Sequence, residues 1–230
     1  MKRRHFITLI GGAATWPLVA RAQQPGKLPT IGFMGGATAL AGSQWAAAFS
    51  QRLRELGWIE NRTVAIEYRW AEGRDERFAE IAAEFIRLKV DVIVTYATPP
   101  AIAAKKATAV IPIVIAGAGD LVGTGLVASL ARPGGNVTGL SIQGPDSAGK
   151  RIEMLREILP GLRTVAILAN IGNPNSMLEM GEAHAAARTL GLDVVTSEIR
   201  KNLTQEFKSF AGNIDLLIRQ AGDVAARLRQ

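Results

Sequence analysis

The chain has 230 residues, a net charge of +7 and no cysteine. The lack of cysteine excludes a disulfide framework, and the abundance of Ala, Val, Ile, Leu and Gly favours parallel sheets covered by helices. Four basic residues and no acidic residue lie within positions 1–22, so the rest of the chain is only mildly basic and shows no nucleic-acid-binding pattern.

Residues 1–22 have the three parts of an export signal in the right order. A short basic start is followed by a mostly apolar or small segment, 7–20, and then by Ala-Arg-Ala, so we expect cleavage after Ala22. The apolar segment is too short to span a bilayer as a stable helix. Arg3 and Arg4 resemble a twin-arginine address, with general secretion as the alternative. We therefore predict a periplasmic protein. Because the chain has no cysteine that could carry a lipid, we expect it to have no lipid anchor.

Strand and helix patterns alternate between positions 23 and 142. Strands are predicted at 30–34, 63–68, 90–95, 111–116 and 137–142, and helices at 43–56, 75–88, from 98 onwards and at 121–131. This alternation predicts an α/β lobe with a doubly wound parallel sheet. Ligands bind such sheets at the carboxyl ends of the strands.

Residues 143–230 predict a second α/β lobe with only two strands. The predicted strands are 164–169 and 193–199, and the predicted helices are 147–158, 176–190, 204–211 and 214–229. A sheet of two strands is marginally stable on its own. We therefore expect the second lobe to be incomplete.

Two glycine-rich segments resemble nucleotide-binding loops but depart from them. Residues 144–150 have P-loop spacing, yet Arg151 stands where Ser or Thr should bind magnesium, and Pro145 removes a backbone donor. Residues 117–123 have one residue too many for a dinucleotide loop. We interpret the first as a helix start, with Asp146 or Ser147 as its cap, and the second as a packed loop beside a helix.

The sequence contains no recognisable catalytic or metal-binding constellation. Its two histidines are His5, within the predicted signal, and His184, on a predicted helix, so a transition-metal site is not expected. Neither a nucleophile–base pair nor a G-x-S-x-G elbow is visible. We predict a protein that is not an enzyme and that binds no cofactor and no metal.

Four segments carry a resemblance to a known family. They are 57–69, 91–94 with Thr98-Pro99, 111–115 and, most specifically, 125–139 with its Leu-Ala-Arg-Pro-Gly-Gly-Asn-Val-Thr-Gly stretch. Over roughly residues 28–200 the chain resembles ABC transporter substrate-binding proteins of the tryptophan/tyrosine-type family, without the C-terminal part of that family's chains. The resemblance implies a two-lobed, type I periplasmic-binding-protein-like fold that clamps a small organic solute, such as an amino acid, and delivers it to an ABC permease in the inner membrane.

The resemblance also implies which residues line the ligand cleft. They are Gly35, Gly36, Ala97, Thr98 and Asp120 in the first lobe and Asn170, Asn173 and Asn175 in the second, with Asn136 and Thr138 as further polar candidates. Thr98 at a helix start would hold an anionic ligand group, and Asp120 would pair with a ligand amine. The family usually has Gly-Thr where this chain has Ala97-Thr98, and Asp-Pro where it has Asp120-Leu121.

Two other interpretations stay open. The chain could be an exported α/β enzyme, such as a hydrolase or nucleotide-binding protein. It could also be a non-functional truncated binding protein, since two strands without partners leave edges and core exposed. In the leading interpretation we expect a monomer whose partners are a small-molecule ligand and a permease, with no nucleic acid.

Overall fold

A computed structural model describes residues 27–199 of the chain. The predicted signal peptide and the predicted helices at 204–211 and 214–229 lie outside the described residues. The elements in chain order are β1 (Thr30–Gly35), α1 (Ala39–Glu55), β2 (Ala65–Trp70), α2 (Arg77–Leu88), β3 (Val92–Thr95), α3 (Thr98–Ala107), β4 (Ile113–Ala118), β5 (Val137–Ser141), α4 (Gly144–Ile158), β6 (Thr164–Asn170), α5 (Pro174–Thr189) and β7 (Asp193–Ile199).

The first sheet contains five parallel strands in the order β2-β1-β3-β4-β5. The chain steps outward from β1 to β2, then returns past β1 to β3, so the crossover direction reverses between β1 and β3. The prediction of a doubly wound parallel sheet is confirmed. Ligands of such sheets bind where this reversal occurs, at the carboxyl ends of the two strands.

The two faces of this sheet are covered differently. On one face, α2 and α3 pack directly, with Phe85 fully buried and its ring lying against Gly32, where a Cβ would come within 2.7 Å of the ring. On the other face an aromatic layer separates α1 from the strands. Phe33 is its centre, with ring centroids 5.4 Å from Phe49 and 5.7 Å from Trp70. Helix α1 therefore covers β1 and β2 through large side chains.

The connection between β4 and β5 differs from the sequence prediction. Residues 121–131 form turns and bends, so the predicted helix there is wrong. The Oδ1 atom of Asp120 accepts hydrogen bonds from the backbone N–H groups of Val122 and Gly123, both at 2.9 Å. Such side-chain-to-backbone bonds compete with helix formation. The apolar spacing that suggested a helix instead reflects buried loop residues, among them Leu126.

One face of β4 and β5 is uncovered within residues 27–199. Helix α1 lies over β1 and β2 and does not extend across this part of the same face. Leu140 and Ile142 are consequently 70% and 69% exposed, and Val114 is partly exposed beside Thr138, its register partner. This uncovered apolar face of β4 and β5 is therefore available for packing against another segment or a partner.

The second sheet consists of the parallel pair β6 and β7. Helices α4 and α5 pack on each other and on this pair around a small core that includes Ile152, Val165 and Ala187. No third strand joins this sheet among the described residues. The small core and the single strand pair agree with the expectation of an incomplete lobe.

Candidate functional site

The carboxyl ends of β1, β3 and β4 bring the five predicted first-lobe residues to one edge of the sheet. Met34 pairs with Thr95, and Thr95 with Ile115, so these strands end at the same level. The Oγ1 atom of buried Thr95 donates to the Met34 carbonyl at 3.0 Å, and the Ala97 N–H donates to the Gly117 carbonyl at 2.8 Å. This edge is where a doubly wound sheet binds its ligand.

Gly35 and Gly36 leave room for aromatic rings at the end of β1. A Cβ on Gly35 would overlap the ring of Trp70 and lie 3.2 Å from the hydroxyl of Tyr96. A Cβ on Gly36 would be 3.4 Å from the ring of Phe78. The backbone here is therefore lined by rings on both faces of the sheet, and a side chain at Gly35 would displace one of them.

Thr98 is the first residue of α3, and the residue as a whole is only 2% exposed. Its hydroxyl accepts a hydrogen bond from the Gly119 N–H at 3.3 Å, so it ties α3 to the end of β4. The next two residues are Pro99 and Pro100, which lack N–H groups. An anion at this helix terminus would therefore find fewer backbone donors than an ordinary helix start offers.

Asp120 shapes the loop that follows β4. Its Oδ1 atom already accepts two backbone hydrogen bonds from the following turn. A ligand amine would therefore have to be held by the other carboxylate oxygen, Oδ2. These two hydrogen bonds fix the orientation of the carboxylate, so its negative charge is held in one position at the edge of the sheet.

Asn175 in α5 joins the two lobes. It is 7% exposed, and its Oδ1 atom accepts a hydrogen bond from the Asp120 N–H at 2.7 Å. Its Nδ2 atom donates to Glu179 at 2.8 Å. Gly119 faces the same amide so closely that a Cβ there would overlap it. The structure thus brings Asn175 together with Thr98 and Asp120.

The other two second-lobe asparagines build the loop that carries Asn175. Asn170 ends β6, and its Oδ1 atom accepts from the Gly172 N–H at 2.9 Å. Asn173 caps α5 by accepting from the Asn175 N–H at 3.1 Å. Both residues follow the carboxyl end of β6, and both use these side-chain oxygens within the loop.

Asn136 and Thr138 lie apart from this cluster. The Asn136 side chain donates to the carbonyls of Thr108 and Ile111, at 3.0 and 2.8 Å, at the amino-terminal ends of β4 and β5. Thr138 is exposed in the middle of β5. The structure therefore places neither residue at the carboxyl edge, because Asn136 precedes its strand and Thr138 lies within it.

A cavity of about 550 Å³ adjoins the cluster between α2, α3 and the loop after β6. Its lining is mostly apolar with charged residues at the rim: Asp75, Glu76, Phe78, Ala79, Pro99, Ile102, Ala103, Lys106, Ala107, Gly172 and Pro174. Burial, with a smaller contribution from Glu76, raises the pKa of Asp75 above its usual value. The cavity is large enough for a small organic molecule.

The segment with P-loop spacing does not form a loop. Helix α4 begins at Gly144, so residues 144–150 are helical and present no cradle of backbone donors. The prediction that Asp146 or Ser147 caps this helix is wrong. The residue before the helix is Gln143, in a left-handed conformation, and the Ser147 hydroxyl donates back to the Gly144 carbonyl at 2.8 Å.

Two aromatic residues at this edge were missed by sequence reasoning. Tyr96 directly follows β3 and lies between Thr95 and Ala97 at this edge. Trp45 lies on α1, and its ring is stacked on that of Tyr96. The position of Tyr96 one residue after an apolar strand was the available signal. Nothing in the local sequence around Trp45 indicates its partner, since the contact depends on how α1 lies across the sheet.

Across residues 27–199 no group of three or more His, Asp or Glu side chains is arranged to hold a metal ion. No helix in that same range is long and apolar enough to cross a membrane.

Comparison with known proteins gives consistent matches. Residues 43–217 match the model of a family described as ABC transporter substrate binding protein. A tyrosine-binding protein from Clostridioides difficile (strain R20291) is 31% identical over 171 residues, which make up 74% of this chain and 49% of that protein. The chain therefore spans about half the length of this curated relative.

Solved structures agree with the family match. A conserved domain protein from Vibrio cholerae superposes with a TM-score of 0.69 at 30% identity, over 75% of this chain and 58% of that one. An ABC domain from Streptococcus pneumonia in complex with L-Trp has a TM-score of 0.67 at 28% identity, with the same coverage. The predicted type I periplasmic-binding-protein-like fold is confirmed. The chain belongs to the family of ABC transporter substrate-binding proteins.

Proposed function

We propose that the protein is the solute-binding component of an ABC transporter that captures an amino acid and delivers it to a permease in the inner membrane. The observation that carries this proposal is the meeting of the two lobes at the carboxyl edge, where Asn175 accepts the hydrogen bond from Asp120. This contact places the loop after β6 against the strand ends at which a doubly wound sheet binds its ligand, which is where a site formed between two lobes lies. The relatives described as tyrosine-binding or solved with L-Trp support an amino acid as the solute class.

The proposed ligand site lies over the ends of β1, β3 and β4 and against the loop after β6. Its proposed lining comprises Gly35, Gly36, Ala97, Thr98, Asp120, Asn170, Asn173 and Asn175. Asp120 would hold the ligand amine. The ligand carboxylate would face the positive end of the α3 dipole, where Pro99 and Pro100 leave few backbone donors. This role is binding without catalysis or cofactor.

Export to the periplasm is part of the proposal. Residues 1–22 would direct the chain across the inner membrane, by the twin-arginine route, and would be cleaved after Ala22. The mature protein would then act as a monomer. Expressing the full chain in bacteria and determining the amino terminus of the periplasmic product checks this directly: the product should begin at Gln23.

A second candidate is a binding protein that has lost function. Within residues 27–199 the second sheet has two strands, and Leu140 and Ile142 are exposed. An unpaired sheet edge and an uncovered apolar face in this part of the chain favour the second candidate. This candidate predicts a chain that is soluble only in small amounts and is cleaved readily by proteases beyond residue 143.

Thermal unfolding of the purified exported chain with each of the twenty L-amino acids separates the two candidates. A ligand present at 100 times its Kd stabilises a protein by about 2.7 kcal/mol, which for a chain of this length corresponds to about 5–10 °C in Tm. A shift of that size with one amino acid or a small group of them supports solute binding. No shift at millimolar concentration with any of them contradicts it and favours loss of function.

A further inference from the structure

The contact between the two lobes depends on the direction in which the amide of Asn175 points. The amide oxygen can only accept hydrogen bonds, and the NH2 group can only donate them. The Asp120 N–H is a donor, so the 2.7 Å contact forms only when Oδ1 faces it and Nδ2 faces Glu179, at 2.8 Å. Rotating the amide by 180° would set two donors against each other at a buried residue, where unpaired polar groups are costly.

Glu179 is the group that excludes the reversed amide. It lies one helical turn after Asn175 in α5, and side chains four positions apart on a helix are neighbours. An ionised carboxylate has no hydrogen to donate, so only the NH2 end of the Asn175 amide can face it. The Glu179 side chain is only 32% exposed, and its position is therefore set mainly by its protein neighbours.

The neighbours of Glu179 belong to the start of α4. The Nη2 atom of Arg151 lies 3.6 Å from the other carboxylate oxygen, Oε2, and also donates to the Gly144 carbonyl at 3.1 Å. Gly144 lies so close to Glu179 that a Cβ on it would overlap the carboxylate. It is the first residue of α4, directly after the crossing from β5, where Gln143 has a left-handed backbone with φ of 51°. The carboxylate is thus held where the chain passes between the lobes.

We propose that Glu179 is a positioning residue for the contact between the lobes, because it selects the orientation of the Asn175 amide that can bind Asp120. It acts through Asn175 and is not among the residues proposed to line the ligand site. The inference rests on the proposed function in one respect. A solute captured between the lobes binds more tightly when the arrangement in which they touch is more populated, so Glu179 raises solute affinity from outside the site.

The test measures how the lobes are arranged and needs no ligand. The chain has no cysteine, so Ala83→Cys in α2 and Ala185→Cys in α5, both at exposed positions, can carry one spin label in each lobe. Electron double resonance on the full exported chain then gives the distribution of distances between the labels.

Glu179→Gln is the central variant. It keeps the size of the side chain but adds an NH2 group, which allows the reversed Asn175 amide. We expect a second population of distances to appear. We also expect a loss of about 3- to 10-fold in affinity for the L-amino acid that gives the largest Tm shift with the unaltered chain.

A compensating pair of substitutions distinguishes positioning from a general structural role. Asn175→Asp alone sets two carboxylates against each other on one face of α5, so the contact should weaken. Combined with Glu179→Gln it should recover, because the new carboxylate accepts from both the Asp120 N–H and the new NH2 group, and the charge of the pair is unchanged. The distances judge this recovery, since position 175 is itself in the proposed lining.

Glu182→Gln is the matched control. Glu182 is exposed on the same helix, and the same chemical change there should leave both distances and affinity unchanged. Circular dichroism and Tm confirm that each variant folds. If Glu179→Gln does not fold, Arg151→Met, which removes the charge beside the carboxylate, should change the distances in the same way to a smaller extent.

The distance measurement keeps this inference separate from the proposed function. A second population in Glu179→Gln that disappears in the double variant supports the inference. An unchanged distribution in Glu179→Gln, or a change that the double variant does not reverse, overturns it and leaves solute binding standing. A chain that binds no amino acid ends the proposed function but still gives one of these two results, because the distances are measured without ligand.

Discussion

Ala97 occupies a backbone conformation that other residues rarely adopt. Its φ of 68° and ψ of 162° lie in a region that is almost exclusive to glycine. The resemblance noted in the sequence has glycine at this position. Alanine therefore carries strain of about 1–3 kcal/mol at the start of α3, next to the proposed ligand site.

We predict that Ala97→Gly stabilises the protein. Relief of the strain exceeds the entropy that glycine adds to the unfolded chain, about 0.4–1 kcal/mol, so the free energy of unfolding should rise by about 1 kcal/mol. Urea unfolding monitored by circular dichroism measures it. Ala103→Gly, within α3, is the control and should lower stability by about 1 kcal/mol. A lower free energy of unfolding in Ala97→Gly would contradict the conclusion that Ala97 is strained.

Asp120 shapes the turn after β4, and in the proposed function it also holds the ligand amine; one substitution can separate these two roles. In Asp120→Asn the side chain keeps an oxygen for the N–H groups of Val122 and Gly123 but loses its charge. We predict a Tm within about 2 °C of the unaltered protein, together with at least a tenfold loss in affinity for the best amino acid, because a charge-assisted hydrogen bond to the ligand amine is lost. Thermal unfolding and titration calorimetry measure the two effects.

The corresponding alanine variant completes this test. Asp120→Ala removes the acceptor as well, and should cost about 0.5–2 kcal/mol of stability, as loss of a capping side chain does. Unchanged affinity in Asp120→Asn would show that the carboxylate only shapes the turn.

Among the elements, β2 and α2 are joined by an ion pair. Arg69 donates two hydrogen bonds to Glu84, at 2.9 and 2.7 Å, and these bonds lower the pKa of Glu84 while raising that of Arg69. A carboxyl whose pKa is lowered by folding adds stability above its unfolded pKa, and that stability is lost as the pH falls through its folded pKa.

We therefore predict a pH-dependent difference between the unaltered protein and Glu84→Gln. The unaltered protein should be more stable at pH 6 by less than about 1 kcal/mol, since both side chains are partly exposed. The difference should shrink as the pH falls below about 4. Urea unfolding from pH 3 to pH 7 measures it, with 1 M NaCl expected to reduce the difference at pH 6. A difference that grows on acidification would contradict the assignment.

At the scale of the whole molecule, the contact between the lobes depends on one glycine. Gly119 has no room for a Cβ, because Asn175 lies against it while accepting from Asp120. Gly119→Ala should push α5 away from β4, expose Asn175 and weaken ligand affinity at least tenfold, with the sheet of the first lobe intact.

Hydrogen exchange is the measurement for Gly119→Ala. Protection should fall at residues 119–123 and 173–176 and stay unchanged in β1 and β3. Gly161→Ala is the matched control, because Gly161 has open space around its Cβ position and should tolerate the change. Unchanged protection and affinity in Gly119→Ala would show that the two lobes do not need this contact.

The sequence was most informative for the central strands and least for the loops. The apolar runs at 90–95 and 111–116 contain most of β3 and β4. In β3 this reflects burial on both faces, whereas β4 is apolar on its uncovered face as well. At 121–131 the apolar spacing that predicted a helix belongs to a loop. Asp120 accepts hydrogen bonds from the following N–H groups, and glycines interrupt the segment. Hydrophobic periodicity does not show that the Asp120 side chain takes the backbone N–H groups as its hydrogen-bond donors and so competes with helix formation.

The candidate site was partly predictable for a related reason. Strand ends mark the edge where ligands bind, so Gly35, Ala97, Thr98 and Asp120 could be placed on one edge from the alternation of elements alone. The same argument places Asn136 at the opposite edge, because it precedes a strand of the predicted parallel sheet, and the structure agrees. The stack of Trp45 on Tyr96 joins residues 51 positions apart and depends on how α1 crosses the sheet.

By itself the sequence determined the class of fold, the family and the order of the elements in the first lobe apart from the helix predicted between β4 and β5, because local patterns of apolar residues and one specific motif carry that information. Only the tertiary structure decided which side chains meet: that Asn175 accepts a hydrogen bond from the Asp120 N–H, and that Trp45 stacks on Tyr96. Local patterns arise from residues a few positions apart, whereas a binding site is assembled from loops whose positions are set by the packing of distant elements.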